Sequence, residues 1–237
     1  MKPEVSCWQH PPSRLALKDG ELHLWRFSLD APPEMIQYLQ SLLSTNEMVR
    51  AERLIDPLKR HSFVMARSCL RQILAKYLGL NPELLKFGYN SSGKPFLSSP
   101  TKDKLTFNLS HSGSIAILAV AMDGEVGVDI EKIDAALNFQ SVARRYFTLA
   151  EMNELEKLSI LRRRRQFYRL WTRKEAVLKM YGTGFSLPGS IETFVSDLDH
   201  CTLINIFLAT SYVSALAVNR RITSIQKFNM LPDREIR

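Results

Sequence analysis

The chain has 237 residues, of which 45% are hydrophobic and 24% are charged. This balance is typical of a globular protein, and it excludes a disordered chain, a collagen and a disulfide-dense miniprotein. The 32 lysines and arginines outnumber the 24 aspartates and glutamates, which gives a net charge of +8. A positive charge of this size favours polyanionic or acidic partners, so nucleic acid, anionic lipid, phosphate-rich cofactors and acidic proteins all remain open.

The predicted elements alternate between strands and helices along the whole chain. In chain order they are an irregular segment 1–20, a strand 21–29, a helix 34–43, a basic helix 59–78, strands 85–89, 105–109, 114–122 and 126–130, helices 139–146, 150–158 and 166–181, strands within 191–219 and a loosely ordered basic tail 220–237. Ser44 and Glu47 form a capping pattern, and residues 110–113 are interpreted as a loop. Each half has helices followed by strands, which permits a duplicated architecture.

Three cysteines, Cys7, Cys69 and Cys201, are far apart and belong to no CxxC or Cys/His pattern. Their odd number and spacing predict reduced thiols, which are typical of cytosolic proteins. The first residues lack the apolar run of a signal peptide, and no segment approaches the roughly 20 apolar residues of a membrane span. We therefore expect a cytoplasmic protein with no membrane partner.

Two acidic residues stand one position apart in the segment Gly127-Val128-Asp129-Ile130-Glu131. On a strand, residues i and i+2 share a face, so Asp129 and Glu131 point the same way. Carboxylates this close repel each other unless a cation or a basic side chain lies between them. An acidic pair in solvent and one part of a cation site are both compatible with this pattern.

A second motif lies on the strongest predicted helix, in the segment 171–179, WTRKEAVLK. Glu175 and Lys179 are four residues apart and share one helix face, as in many surface ion pairs. The functional alternative adds the Glu175 carboxylate to Asp129 and Glu131. Three carboxylates form a donor set that suits a hard cation such as Mg²⁺.

The remaining motifs suggest phosphate binding. Ser110 and His111 lie in the segment 107–113, FNLSHSG, where hydroxyls and backbone N–H groups either bind an anion or satisfy their own turn. Lys94 follows Gly93 and precedes Pro95 in a turn that lacks the Walker spacing. The helical region 50–71 carries a basic set that fits either solvent or phosphate, namely Arg50, Arg53, Lys59, Arg60, Arg67 and Arg71.

Taken together and in this order, the motifs Gly93-Lys-Pro, FNLSHS, GVDIE, WTRKEAVLK and Gly182-Thr-Gly184 resemble those of the 4′-phosphopantetheinyl transferases. The resemblance covers about residues 45–185, and Glu175 follows Asp129 by 46 positions. The length and the arginine-rich helix are similar to the larger, surfactin-synthetase-activating type. The resemblance implies an α+β fold made of two similar α+β halves related by a pseudo-twofold axis, residues 1–123 and 124–237, with coenzyme A between them.

The same resemblance implies a reaction and a set of roles. The phosphopantetheine arm of coenzyme A is transferred to a serine of an apo acyl or peptidyl carrier protein, and adenosine 3′,5′-bisphosphate is released. Asp129, Glu131 and Glu175 are expected to hold Mg²⁺, and Glu175 and Lys179 to be catalytic. The residues expected to bind coenzyme A are Arg53, Arg60, Arg67, Lys94, Ser110, His111, Lys174 and Lys179. We expect a monomer whose partners are coenzyme A and acidic carrier proteins, without nucleic acid.

Three other functions compete with this interpretation. The positive charge and the arginine-rich helices also fit a nucleic-acid-binding protein, although the three carboxylates have no role there. A coenzyme A-binding scaffold without turnover would retain the same motifs. A hydrolase that uses Ser110 and His111 is a third possibility, but the chain has no GxSxG nucleophile motif.

Overall fold

The computed structural model describes residues 3–98, 105–183 and 201–230. The first part of the chain contains three helices and six strands besides a short 3₁₀ turn at Pro82–Leu84. They are β1 (Glu4–Gln9), β2 (Glu21–Ser28), α1 (Pro33–Ser41), α2 (Thr45–Glu52), α3 (Pro57–Leu78), β3 (Phe87–Tyr89), β4 (Pro95–Leu97), β5 (Leu105–Ser112) and β6 (Ile115–Met122). Local signals explain these bounds, because Ser44 and Glu47 form the predicted capping box and Gly79 ends α3 in a left-handed conformation.

The second part of the chain contains three helices and four strands among the described residues. They are β7 (Val126–Lys132), α4 (Phe139–Tyr146), α5 (Leu149–Glu156), α6 (Ile160–Tyr181), β8 (Thr202–Ile206), β9 (Tyr212–Val218) and β10 (Ser224–Asn229). Helix α6 begins six residues before the predicted start and ends as predicted at Gly182, whose φ is 69°. Gly184 and part of the strand region predicted over 191–219 lie outside the described residues.

The larger sheet has five strands in the order β1-β10-β2-β6-β5. Strand β10 lies between β1 and β2 and is parallel to both, whereas β2, β6 and β5 are antiparallel neighbours. Both ends of the described chain thus differ from the prediction, since segment 1–20 contains a strand and the tail supplies another. The side chains of Ile225 and Phe228 are buried, and this burial stabilises β10 in the five-stranded sheet.

The second sheet has three antiparallel strands in the order β7-β9-β8. Its apolar side chains Val126, Val128 and Ile130 form a core with Leu24 and Ile117 of the larger sheet. On its opposite face, Ala215 and Ala217 of β9 pack against α6. Helices α1 and α3 cover the other face of the five-stranded sheet. The result is an α+β fold with four layers. In order, these are the helices α1 and α3, the five-stranded sheet, the three-stranded sheet and helix α6.

No helix in the described parts of the chain is both long and apolar enough to cross a membrane. The two longest helices, α3 and α6, have 22 residues each, and both carry many charged side chains.

Candidate active site

The edge strands β5 and β7 of the two sheets lie side by side, and polar side chains join them. The backbone N–H of Val128 donates to Asn108 Oδ1 at 2.9 Å, and that of Lys132 donates to Ser112 Oγ at 3.0 Å. Ser112 Oγ in turn donates to Glu131 Oε2 at 2.9 Å. Side chains of β5 therefore replace the backbone partners that an edge strand lacks, and they hold β7 in a fixed register.

We call this junction between β5 and β7 the seam. Asp129 lies in its middle and is almost fully buried, at 2% exposure. Its Oδ1 atom accepts a hydrogen bond from Ser110 Oγ at 3.0 Å and pairs with Lys179 Nζ at 2.5 Å. Lys179 also donates to Ser110 Oγ at 3.0 Å. One residue from each of β5, β7 and α6 thus meets at one point, and an ammonium group with three hydrogens keeps one for a further acceptor.

Glycine at position 127 permits this approach of α6 to β7. A Cβ atom on Gly127 would lie 2.0 Å from the carbonyl oxygen of Ala176 and 2.3 Å from the backbone nitrogen of Met180. No larger residue fits without moving the helix. The backbones touch within one turn of Lys179, so the first residue of the GVDIE segment sets the distance between the acidic strand and the basic helix.

The pKa values of all three carboxylates are raised above their ordinary values. Burial raises the pKa of Asp129, although Lys179 and Ser110 oppose the shift. Burial and then repulsion from Asp129 raise the pKa of Glu131. Burial raises the pKa of Glu175 to about 7, with Lys179 opposing the shift and with Asp129 and Glu131 adding to it. The three groups are close enough to repel one another, and Lys179 alone does not balance them.

This donor set fits a hard divalent cation. Asp129 Oδ2 is buried and has no hydrogen-bond partner among the described residues, which leaves one oxygen available to a cation. Carboxylate oxygens are the ligands that Mg²⁺ prefers. Within the described ranges, however, no group of three or more His, Cys, Asp or Glu side chains is already arranged around a common metal position. The residues suit the ion in kind and charge, and Mg²⁺ in proteins commonly completes its coordination with water and phosphate oxygens.

Ser110 and His111 lie on a strand rather than in the predicted loop. Strand β5 continues to Ser112, because His111 and Ser112 still pair with Ala116 and Ile115 of β6. Ser110 and Ser112 therefore face β7, whereas His111 lies on the opposite face of β5 and is exposed. The surrounding protein and the Lys179 charge lower the pKa of His111, which favours the neutral ring at pH 7.

The two other lysines of the prediction have protein partners. Lys94 Nζ donates to Met180 O and Glu125 Oε2, both at 2.8 Å, and to Val126 O at 3.2 Å. Lys174 is buried at 1% exposure, where it pairs with Glu151 at 3.0 Å and lies over the ring of Phe147. The structure thus brings Lys179 but not Lys174 to Asp129. The assignment of Lys94 and Lys174 to coenzyme A stays a prediction.

The three predicted arginines lie in the helical layer of the first half. Arg67 is buried and pairs with Glu47 at 2.6 Å, together with Arg71, which lies at 2.7 Å from the same carboxylate. Arg60 donates twice to the carbonyl of Leu54, and Arg53 is exposed. Their assignment to phosphate stays a prediction, while Arg67 and Arg71 have a clear structural partner in Glu47.

A cavity of about 750 Å³ opens beside Glu131 and Ser112. Apolar and aromatic side chains form most of its wall, among them Ile133, Tyr146 and Trp171. Cavities of this size and lining are typical of small-molecule sites. The sequence motifs did not predict it, since its wall combines β7, α4 and α6.

Sequence reasoning also missed Asn108 and Ser112. Both act on the acidic strand itself, through the N–H of Val128 and the carboxylate of Glu131. The available signal was the alternation Asn-x-Ser-x-Ser, which places three polar residues on one face of a strand. Interpreting residues 110–113 as a loop concealed it.

Two family models match the chain and together cover most of it. The model described as 4′-phosphopantetheinyl transferase superfamily matches residues 125–223, and that described as 4′-phosphopantetheinyl transferase, N-terminal matches residues 30–123. The 4′-phosphopantetheinyl transferase HetI of Nostoc sp. is 39% identical over 186 residues, which are 78% of this chain and 78% of the relative. The chain belongs to the 4′-phosphopantetheinyl transferase superfamily.

More distant relatives carry the same description. The 4′-phosphopantetheinyl transferase AcpT of Escherichia coli K12 is 36% identical over 142 residues, covering 59% of this chain and 70% of the relative. A 4′-phosphopantetheinyl transferase of Bacillus subtilis is 30% identical over 150 residues, covering 63% and 65%. The protein is thus a transferase that moves the phosphopantetheine group of coenzyme A to carrier proteins. The seam that joins Asp129, Glu131, Glu175 and Lys179 is its candidate active site.

Proposed function

We propose that Asp129, Glu131 and Glu175 together bind one Mg²⁺ ion at the seam, and that the reaction depends on it. Two observations support this proposal: Asp129 Oδ2 has no hydrogen-bond partner among the described residues, and the pKa values of the three carboxylates are raised. Held by these residues, the cation would supply positive charge to the pyrophosphate of coenzyme A. Ser110 and Ser112 hold two of the carboxylates in place by hydrogen bonds, as the outer ligand sphere of metal sites commonly does.

The chain's own residues handle the proton and the leaving group. The serine hydroxyl of the carrier attacks the β-phosphorus of coenzyme A, and the bond from that phosphorus to the oxygen of the adenosine 3′,5′-bisphosphate breaks. Glu175, which shares a face of α6 with Lys179, is the residue that we assign to accept the serine proton, directly or through a water molecule. Lys179 uses its remaining ammonium hydrogen to neutralise the departing phosphate.

We propose that the nucleotide and the pantetheine arm of coenzyme A bind on opposite sides of the contact between Lys179 and Asp129. We place the pyrophosphate against Lys179 and Ser110, another phosphate of the nucleotide near His111 on the other face of β5, and the pantetheine arm in the 750 Å³ cavity beside Glu131. The exposed Arg53 and the neighbouring Arg60 are proposed for the more distant phosphate of coenzyme A. Arg67 pairs with Glu47 in the helical layer behind them, and its contact with a phosphate stays a prediction.

The subtype, the division of the chain and the physiological setting are also proposals. The two matched segments, 30–123 and 125–223, meet near Gly124, which supports two halves, 1–123 and 124–237, and the larger, surfactin-synthetase-activating type. Strand β10 then belongs to the second half in sequence and to the sheet of the first half. The charge of +8 supports an acidic carrier protein. We propose a cytoplasmic monomer that modifies acyl or peptidyl carriers.

The observation that carries the site assignment is the meeting of Ser110, Asp129 and Lys179 at one point between the two sheets and α6. Intact-protein mass spectrometry tests it, with the protein, coenzyme A, Mg²⁺ and an apo acyl carrier protein, with and without EDTA. We expect the carrier to gain one phosphopantetheine group, and we expect EDTA to prevent the gain. If the acyl carrier gains nothing, a peptidyl carrier replaces it in the same assay.

Variants assign the activity to the site. We expect Asp129→Asn and Glu175→Gln each to lower the rate by about 100-fold or more, because each removes a charge that the transition state requires. Glu154→Gln is the matched control, since Glu154 is an exposed carboxylate that pairs with the exposed Lys157. Wild-type rates in either seam variant would contradict the site, and coenzyme A binding without transfer to any carrier would favour a scaffold.

A further inference from the structure

The turn between β3 and β4 lies against the C-terminal end of α6. Asn90 Nδ2 donates to the carbonyl oxygen of Gly182 at 3.2 Å, and Lys94 Nζ donates to that of Met180 at 2.8 Å. Asn90 Oδ1 also accepts the backbone N–H groups of Ser92 and Lys94, at 3.0 and 2.8 Å. One asparagine thus both builds the turn and fastens it to the helix, 92 residues further along the chain.

The contacts of Lys94 use all three hydrogens of its ammonium group. Besides Met180 O, they go to Glu125 Oε2 at 2.8 Å and to Val126 O at 3.2 Å, at the start of β7. Because an ammonium group has three donors and no acceptor, none is left for a phosphate in this arrangement. The side chain is also only 15% exposed. Lys94 therefore links a turn of the first half to the two elements that carry the active-site charges.

Hydrogen bonds from a lysine to the last carbonyl groups of a helix stabilise its C-terminal end. The last four carbonyl groups of a helix lack partners within it, and their dipoles favour a positive charge. In α6 the N–H groups of Gly182 and Thr183 both bond to Leu178 O, and Lys94 supplies the partner of Met180 O. Lys179 is next to Met180 in sequence, so the clamp acts within one turn of the residue that reaches Asp129.

We propose that Asn90 and Lys94 are positioning residues for the transfer reaction, which clamp the C-terminal end of α6 so that Glu175 and Lys179 meet Asp129. The inference rests on the proposed roles of Glu175 and Lys179. It differs from the phosphate-binding role that the family resemblance implies for Lys94, because a clamp acts on turnover whereas a phosphate contact acts on coenzyme A affinity.

The test compares turnover with coenzyme A affinity in Lys94→Met. We expect kcat to fall about tenfold to 100-fold, as a small displacement of catalytic groups does, while the Kd for coenzyme A changes less than about threefold. Lys94→Arg retains charge and donors and should recover most of the lost turnover. Lys18→Met, which removes an exposed lysine far from the seam in sequence, is the matched control and should behave as wild type.

Two further variants separate the contacts of the clamp. Asn90→Asp keeps the oxygen that builds the turn but loses the donor to Gly182 O, so we expect a smaller fall in kcat in the same direction. Glu125→Gln weakens only the contact to a carboxylate that is 52% exposed, and turnover should stay near wild type. If Glu125→Gln equals Lys94→Met, the contact to α6 is not the one that matters, and the proposal is wrong.

Hydrogen exchange gives a readout that does not depend on transfer. In Lys94→Met the backbone amides of Gly182 and Thr183 should exchange about tenfold faster, since the end of the helix loses a partner. Unchanged exchange, or an unchanged kcat with a tenfold higher Kd for coenzyme A, would overturn the clamp. Failure of the wild-type enzyme to transfer at all would refute the proposed function instead, and the exchange result would still decide whether Lys94 holds α6.

Discussion

Substituting Gly127 by alanine should separate Lys179 from Asp129, the ion pair at the centre of the candidate active site. The new Cβ would lie 2.0 Å from the carbonyl oxygen of Ala176, and ordinary contact begins at 3.4 Å. Helix α6 must therefore withdraw by about 1.4 Å, the difference between these two distances. The nearest atoms belong to Ala176 and Met180, on either side of Lys179, so the 2.5 Å contact between Lys179 and Asp129 is in the displaced region.

The magnitude follows from this displacement. A misplacement of about 1 Å in a catalytic group costs about 100-fold in rate, and we expect Gly127→Ala to lose at least that much of kcat. Overpacking of a buried contact should also lower the free energy of unfolding by about 1–3 kcal/mol. The assay is the initial rate of carrier modification by intact-protein mass spectrometry, with thermal unfolding measured on the same sample.

Gly79→Ala is the control for this experiment. Gly79 ends α3 at a φ of 62°, and a Cβ atom there would meet nothing within 4 Å. Alanine in this left-handed conformation costs about 1 kcal/mol of stability, but it leaves α6 in place and should leave turnover unchanged. If Gly127→Ala keeps wild-type turnover and wild-type thermal stability, the backbones of β7 and α6 are not in contact and the reasoning fails.

Two other substitutions test the polar interior. Glu47→Gln should lower the free energy of unfolding by about 3–5 kcal/mol in chemical denaturation near pH 7, because the buried Arg67 and Arg71 lose their counter-charge. Burial raises the pKa of Glu47, but Ser44 and the two arginines outweigh it and lower the pKa below 4.5; the deficit should therefore shrink as the pH falls below that value. Ser112→Ala should weaken Mg²⁺ binding about tenfold in calorimetry, since Glu131 loses the donor that orients it, and unchanged affinity would contradict that role.

Elements with local signals could be predicted from the sequence. Helix α4 has the predicted bounds 139–146, and the capping box at Ser44 and the glycine at 182 mark helix ends as expected, because these signals depend on adjacent residues. The predicted start of α6 lies six residues after the observed one. Its first turns lack an apolar stripe and are stabilised instead by arginines that donate to distant carbonyls, such as Arg165 to Thr210 O.

Non-local pairing explains what the sequence did not predict. Strand β10 pairs with β1 and β2, about 200 residues earlier, so the basic composition of the tail 220–237 gave no sign that it contains a strand of the large sheet. The candidate active site likewise depends partly on contacts between residues far apart in the sequence. Periodicity correctly placed Asp129 and Glu131 on one face, whereas the role of Lys94 depends on carbonyls of α6 and β7 that no short-range pattern reveals.

The candidate active site has more acidic than basic side chains, and these side chains come from β7 and α6. Asp129, Glu131 and Glu175 repel one another, and hydrogen bonds from Ser110 and Ser112 orient two of these carboxylates without adding positive charge. Lys179 supplies one positive charge against three carboxyl groups. The phosphates of coenzyme A are anionic as well, so they can share this site only when further positive charge accompanies them. The proposed cation would supply this charge, and the carboxylates that repel a bare nucleotide are the ones proposed to bind it.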